Sequence, residues 1–359
     1  MGDHKVITSP ISCRARRHSA MSGQLGLQRN DDMHLILHIG APKTGTSAIQ
    51  SALARNVETL RARGIEYPDF PSLEIARANR ITSGNGVPLA KLLGFNAGDQ
   101  VKTDHLLDEI SGAFRTGRDL LYSSEMLSSV EVKKAHAFRD QVASMGYKLK
   151  IIVYVRAIAD HALSIYHQWI KQLAAPRGSF ADYVRNGYSK HSQRRALDLS
   201  VEGFGADAIM VRNYDAAKER LVEDFFVEAL GLASIDGLTI ENAWINRSLT
   251  DTELALMRVM NPLFANPNQA RFASDSMLYG EPNLAPSNII SLAAMRTIED
   301  LCGPDLDVIN ARIEGPGITL KSAALTVSDQ PEPQLSEAEK ALARMIAGII
   351  RMSGVRAVK

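Results

Sequence analysis

The chain's hydrophobic pattern starts at Leu35-Ile36-Leu37-His38-Ile39, a short apolar run closed by Gly40. An apolar run of this length without a polar face predicts a strand buried on both sides, as in a parallel sheet. Ile49, Leu53, Val57 and Leu60 then recur at the spacing of one helical face, with Gly64 as the stop. Across 66–105 the pattern breaks up, because Pro68, Pro71, Ser83-Gly84-Asn85-Gly86 and Pro88 allow only loops and short helices. Strands are predicted again at 120–123, 150–155 and 208–211, and helices at 132–145, 158–171 and 221–230, the last ending at Gly231. Alternation of this kind predicts an α/β fold, a parallel sheet flanked by helices on both faces. Beyond 250 the periodicity is helical near 250–260, 287–301 and 335–352, with no clear strand, and 329–333 reads as a surface linker. The organisation expected is a disordered tail at 1–32 and a single domain at 33–359. That domain carries an insertion at 66–105 and helical C-terminal additions at 250–359.

Composition adds exclusions. Of the 359 residues, 45% are hydrophobic and 23% charged, enough for a packed core. Forty-one basic residues against 40 acidic ones leave a net charge of +1, which argues against a dedicated nucleic-acid binder. Cys13 and Cys302 are far apart and form no CxxC or Cys/His ligand spacing, so reduced thiols and no structural zinc are expected. No stretch has the apolar length of a membrane span, and the N-terminus lacks the apolar core of a secretory signal. The cytoplasm is the default expectation.

The candidate chemistry begins in the first loop. Gly40-Ala41-Pro42-Lys43-Thr44-Gly45-Thr46-Ser47 joins a strand to a helix, where backbone amides and the helix N-terminus form an anion cradle. A nucleoside-triphosphatase loop places lysine directly after its second glycine. Here Thr46 holds that position and the lysine sits inside the loop at Lys43, suited to the bridging oxygen of a shorter tail. The competing reading is a glycine turn with a surface lysine.

The segment 38–50, HIGAPKTGTSAIQ, resembles the 5′-phosphosulfate loop of sulfotransferases that use 3′-phosphoadenosine 5′-phosphosulfate (PAPS), whose common form is PKxGTT. The resemblance puts Pro42, Lys43, Thr44, Gly45, Thr46 and Ser47 around the phosphosulfate, with Ser47 keeping the hydroxyl of the second threonine. It also places Arg156, after the 150–155 strand, and Ser164, eight residues on, at the 3′-phosphate. Tyr214 in Val211-Arg212-Asn213-Tyr214-Asp215 is similar to the tyrosine near the adenine. Arg247 and Ser248 resemble the late loop over the 3′-phosphate, without the Arg-Lys-Gly triplet of the animal cytosolic enzymes. The likeness covers about 33–260, and its sharp motifs are the first loop and the Arg156–Ser164 pair.

Transfer of a sulfuryl group needs a base for the acceptor's proton and positive charge on the leaving oxygen. The resemblance implies Lys43 for the charge. Glu125, at the end of the 120–124 strand, is the candidate base, which resembles the glutamate base of carbohydrate and tyrosyl-protein sulfotransferases. Its competing role is to cap the next helix or pair with a surface lysine. Among the nine histidines His38 reads as a buried core residue, His161, His167 and His191 as surface residues, and His191 as the reserve base. The resemblance implies PAPS as co-substrate, no metal, and a small-molecule or glycan acceptor; the 66–105 insertion, long and loop-rich beside the first loop, is the place expected for acceptor recognition. Two alternatives stay open: a P-loop kinase with a displaced lysine, and a nucleotide-binding protein without chemistry.

Overall fold

Five short strands build the central sheet: β1 (His34–Ile39), β2 (Ile65–Glu66), β3 (Asp119–Ser124), β4 (Lys148–Val155) and β5 (Ile209–Asn213). The structure, a computed structural model, describes residues 33–41, 43–95, 103–172, 178–240, 248–330 and 334–353. All five strands are parallel, in the order β2-β3-β1-β4-β5, within the compact unit Met33–Lys359. Their side chains alternate between two cores, as the period of two in a strand dictates. Leu35, Leu37, Ile39, Tyr122, Ile151 and Val153 face one core, while Ile36, Leu121, Ile152 and Tyr154 face the other. Burial on both faces is why these strands read as continuous apolar runs.

Helices cover both sides. The helix Thr46–Arg55 packs Ile49, Ala52 and Leu53 on the second face, joined by Leu221, Val222, Phe225 and Phe226. The helices Val132–Ser144, Ile158–Gln172 and Gln193–Phe204 cover the first. After β3 the chain passes over β1 to reach β4, so the loops following β1, β3 and β4 meet at one edge. In open α/β sheets, that reversal of strand order is where ligands bind.

The C-terminal third departs from the purely helical expectation. Ile289–Ser291 (β6) and Thr326–Ser328 (β7) pair in parallel, and Ile313 bridges to Val211 of β5. These strands are three residues long, too short to leave a periodic signal. The helix predicted to end near 301 runs through Pro304 to Asn310. The stretch expected as one helix at 221–230 is α-helical over Leu221–Asp224 and widens into a π-helix over Phe225–Ala229.

Two histidines expected at the surface are buried instead. His161 and His167 lie on the helix Ile158–Gln172, which is enclosed by the helices Phe180–Asn186, Asp251–Met260, Pro267–Gly280 and Leu292–Asn310. A helix wrapped on most sides buries polar positions that an amphipathic pattern assigns to solvent. His38 sits in the core as expected, its Nδ1 within 2.8 Å of the Ser123 hydroxyl, and burial pushes its pKa down to about 3.

One buried ion pair ties β5 to the helix below the first loop. Arg212 donates to both Asp224 oxygens, at 2.8 and 2.5 Å, and the Tyr154 hydroxyl donates to Asp224 at 2.6 Å. Removing one partner of such a pair strands the other. Asp224→Ala is therefore expected to cost about 3 kcal/mol in urea unfolding, and Asp224→Asn less. A midpoint unchanged by Asp224→Ala would contradict this account.

Candidate functional site

The loop after β1 is shaped by close approaches. A Cβ on Gly40 would lie 2.2 Å from Thr46 Oγ1, and one on Gly45 2.1 Å from Leu221 Cδ2. Gly45 is left-handed at φ 79°, and Lys43 takes φ 69° although it carries a side chain. Non-glycine residues in that region are held there by their surroundings. Between them Thr44 folds back, its Oγ1 and amide both donating to the Ala41 carbonyl, at 2.7 and 3.3 Å. The helix Thr46–Arg55 begins at Gly45 with no side-chain cap and no acidic residue in its first turn. Its leading amides have no partner within the helix. Thr46 Oγ1 is buried there without a hydrogen-bond partner. An uncapped helix start, a buried unsatisfied hydroxyl and a lysine together fit an oxyanion.

β4 delivers Arg156 to the same edge. Gln193 fixes the backbone from both sides, accepting from the Arg156 amide and donating to its carbonyl, each at 2.7 Å. The guanidinium Nη1 donates to the Lys43 carbonyl at 3.2 Å and lies 3.5 Å from Ser164 Oγ. Its Cζ stands 5.2 Å above the centre of the Tyr214 ring, and Tyr214 Cε2 would be 3.1 Å from a Cβ on Gly45. Lys43, Gly45, Arg156, Ser164 and Tyr214, up to 171 positions apart in the chain, are thus neighbours. Ser47 is half-buried in the first turn of the helix. Ser248 is half-buried ahead of the helix Asp251–Met260, while Pro42 and Arg247 lie outside the described residues.

β3, next to β1, ends in Ser124, and Glu125 follows it. Ser124 is the cap of the 3₁₀ helix Glu125–Ser129, accepting from the Met126 amide at 3.2 Å, so the capping role belongs to Ser124. Burial raises the Glu125 carboxyl above the usual carboxylate range, against the pull of Lys43. Burial likewise pushes the Lys43 ammonium down; Glu125 opposes that and Arg156 adds to it. The two groups are thus an acid and a base brought toward each other in pKa, just beyond the ends of adjacent strands. His191, the reserve base, is exposed, with its ring edge-on to Trp169 at 4.8 Å.

Several site residues had no sequence motif. Asn85 of the 66–105 insertion donates to the Leu121 carbonyl at 2.9 Å and accepts from the Ser123 amide at 2.8 Å, fastening the insertion to the end of β3. Asp215 accepts from the Ala157 amide at 2.6 Å, and Asp160 accepts from Ser322. Thr319 and Leu320 carbonyls accept the amides of Ile158 and Ala159. For Asp215 a signal existed, since Asn213-Tyr214-Asp215 opens a helix that Asn213 caps. For Gln193 and Ser322 there was none.

No family model matches the chain, and no curated protein matches it. Among solved structures it is similar to a sulfotransferase from Alicyclobacillus acidocaldarius, at 16% identity over 64% of this chain and 92% of that one, with a TM-score of 0.35. A structure from the PezAT toxin–antitoxin system of Streptococcus pneumoniae is similar at 15% identity over 52% and 70%, with a TM-score of 0.28. Likenesses this weak say nothing about function, and the α/β assignment stands on the parallel sheet itself.

Proposed function

We propose that the protein is a sulfotransferase that moves the sulfuryl group of PAPS to a hydroxyl or amine acceptor, a carbohydrate or glycoconjugate hydroxyl being the favoured class. The observation that carries this reading is the uncapped helix start with its unsatisfied buried hydroxyl, beside which Lys43 and Glu125 act on each other as opposite charges. The loop amides and Thr46 hold the 5′-phosphosulfate, and Arg156 with Ser164 holds the 3′-phosphate beside Tyr214. Glu125 takes the proton from the acceptor as its oxygen or nitrogen attacks sulfur. The bond from sulfur to the bridging oxygen breaks, and Lys43 meets the negative charge left on the 5′-phosphate.

Burial suits both partners to this work. A carboxyl raised above its ordinary value is a stronger base than a solvated glutamate, and the nearby Lys43 cation opposes that rise. A lysine in a partly dry cradle interacts more strongly with a developing anion than one in water. The kinase alternative lacks this support, because Lys43 stands within the loop rather than after Gly45.

Binding of 3′-phosphoadenosine 5′-phosphate (PAP) is expected to exceed that of AMP by about 1.5–3 kcal/mol in calorimetric titration, the worth of charge-assisted contacts. Arg156→Ala is expected to erase most of that preference and leave AMP binding little changed. Equal affinity for PAP and AMP would overturn the nucleotide assignment.

Glu125→Gln is expected to bind PAP normally and to slow single-turnover transfer by about 10²-fold. For the unaltered protein the rate falls as pH drops through the raised carboxyl pKa, so the acid limb lies above the ordinary glutamate range. The sign for stability is opposite: a raised carboxyl favours the folded state at low pH and loses that contribution as pH rises. Glu125→Gln is accordingly expected to melt no lower than the native protein at neutral pH. Near-native transfer by this variant would remove Glu125 as the base.

Transfer is also expected to persist in EDTA, the positive charge coming from Lys43 and backbone amides. A strict Mg²⁺ requirement, or turnover of ATP in place of PAPS, would favour the kinase.

A further inference from the structure

Arg156 does not stand alone at the site. The fork made by its Nε and Nη2 is turned toward two carboxylates: Nη2 lies 3.6 Å from Asp160 Oδ1 and Nε 3.8 Å from Asp215 Oδ1. Both distances exceed a hydrogen bond, and Nε is buried with no hydrogen-bond partner. Orientation of the arginine comes from other contacts, namely Gln193 on its backbone, the Lys43 carbonyl at Nη1 and the Tyr214 ring. The hydrogen bonds of Asp160 also go elsewhere. Ser322 donates its amide to Oδ2 at 2.9 Å and its hydroxyl to Oδ1 at 2.6 Å, fastening a C-terminal segment onto the helix Ile158–Gln172. What Asp160 gives Arg156 is therefore charge rather than geometry, from a side chain only 9% exposed.

Resting on the proposed function, we propose that Asp160 is a positioning residue acting through Arg156 by charge, which weakens the arginine's hold on the 3′-phosphate so that the product nucleotide is released. A fixed anion behind the guanidinium keeps the cation neutralised in the empty site. It also repels the doubly charged phosphate arriving on the Nη1 and Ser164 side, and such repulsion is strong where burial limits screening. AMP, without a 3′-phosphate, does not feel this opposition at the same place. Asp160 thus lowers the discrimination between PAP and AMP below what Arg156 alone would give. Asp215 acts in the same direction from the other side of the fork.

The experiment compares PAP and AMP affinities by calorimetry, at low and moderate salt, in the native protein, Asp160→Asn and Ser322→Ala. Asparagine removes the charge and can keep both contacts with Ser322, its Oδ1 accepting from the Ser322 amide and its Nδ2 donating to the Ser322 hydroxyl. Asp160→Asn is expected to tighten PAP about five- to tenfold with AMP unchanged, to slow PAP release by a similar factor in stopped-flow displacement, and to show a steeper loss of PAP affinity with salt. Ser322→Ala, which loosens the segment and keeps the charge, is expected to leave the PAP-to-AMP ratio unmoved. An unchanged or reduced ratio in Asp160→Asn overturns the inference, as does an equal shift in Ser322→Ala, since Asp160 would then serve only to latch the segment. If Asp160→Asn does not fold, Asp215→Asn is the second variant, and it is expected to shift the ratio in the same direction. A native protein with no preference for PAP overturns the nucleotide reading and this inference together. A native preference that neither charge removal moves overturns the inference alone.

Discussion

Burying β1 on both faces, between β3 and β4, is the constraint on which the rest depends. A strand flanked by two parallel neighbours has no free edge, and its backbone donors and acceptors are consumed by the sheet. Its C-terminal end is then the first place where unpaired amides emerge, and the chain turns there into a helix whose start is also unpaired. The crossover from β3 to β4 brings two further strand ends beside that opening. Lys43, Glu125 and Arg156 are consequently gathered by backbone topology, before any side chain touches another.

Electrostatics then decide how these groups behave. Lys43 and Arg156 are like charges at one edge, and burial together with the Arg156 charge moves Lys43 away from the charged state. Carboxylates offset this on two levels: the Glu125 charge favours the charged form of Lys43, and Asp160 and Asp215 flank Arg156. The site thus sets two cations, Lys43 and Arg156, against three carboxyl groups. A ligand with several negative charges disturbs that balance, and the flanking carboxylates set how strongly it is held.

The C-terminal part illustrates what periodicity misses. Its helices were legible near 250–260 and 335–352, because each repeats apolar residues over several turns. The short strands β6 and β7 and the stretch 313–322 repeat nothing. Yet that stretch closes the free edge of β5 at Ile313 and supplies carbonyls to the helix start at Ile158 and Ala159. His161 and His167 are buried for a related reason, since a pattern along one helix does not count the helices that pack around it.

By itself the sequence determined the alternation of strand and helix, the glycine loop and the positions of Lys43, Glu125 and Arg156 at strand ends. Such features are local: apolar runs, helical spacing and glycine placement act over a few residues. Only the tertiary structure decided that Arg156 would reach Ser164 and the Lys43 carbonyl, that Ser124 would take the cap and leave Glu125 to burial, and that Asp160, Asp215 and Gln193 would surround the arginine, with Ser322 holding Asp160. Those outcomes depend on distances between segments far apart in the chain, set by packing two cores against one sheet. Hydrogen-bond reach and desolvation exist only once that packing is complete.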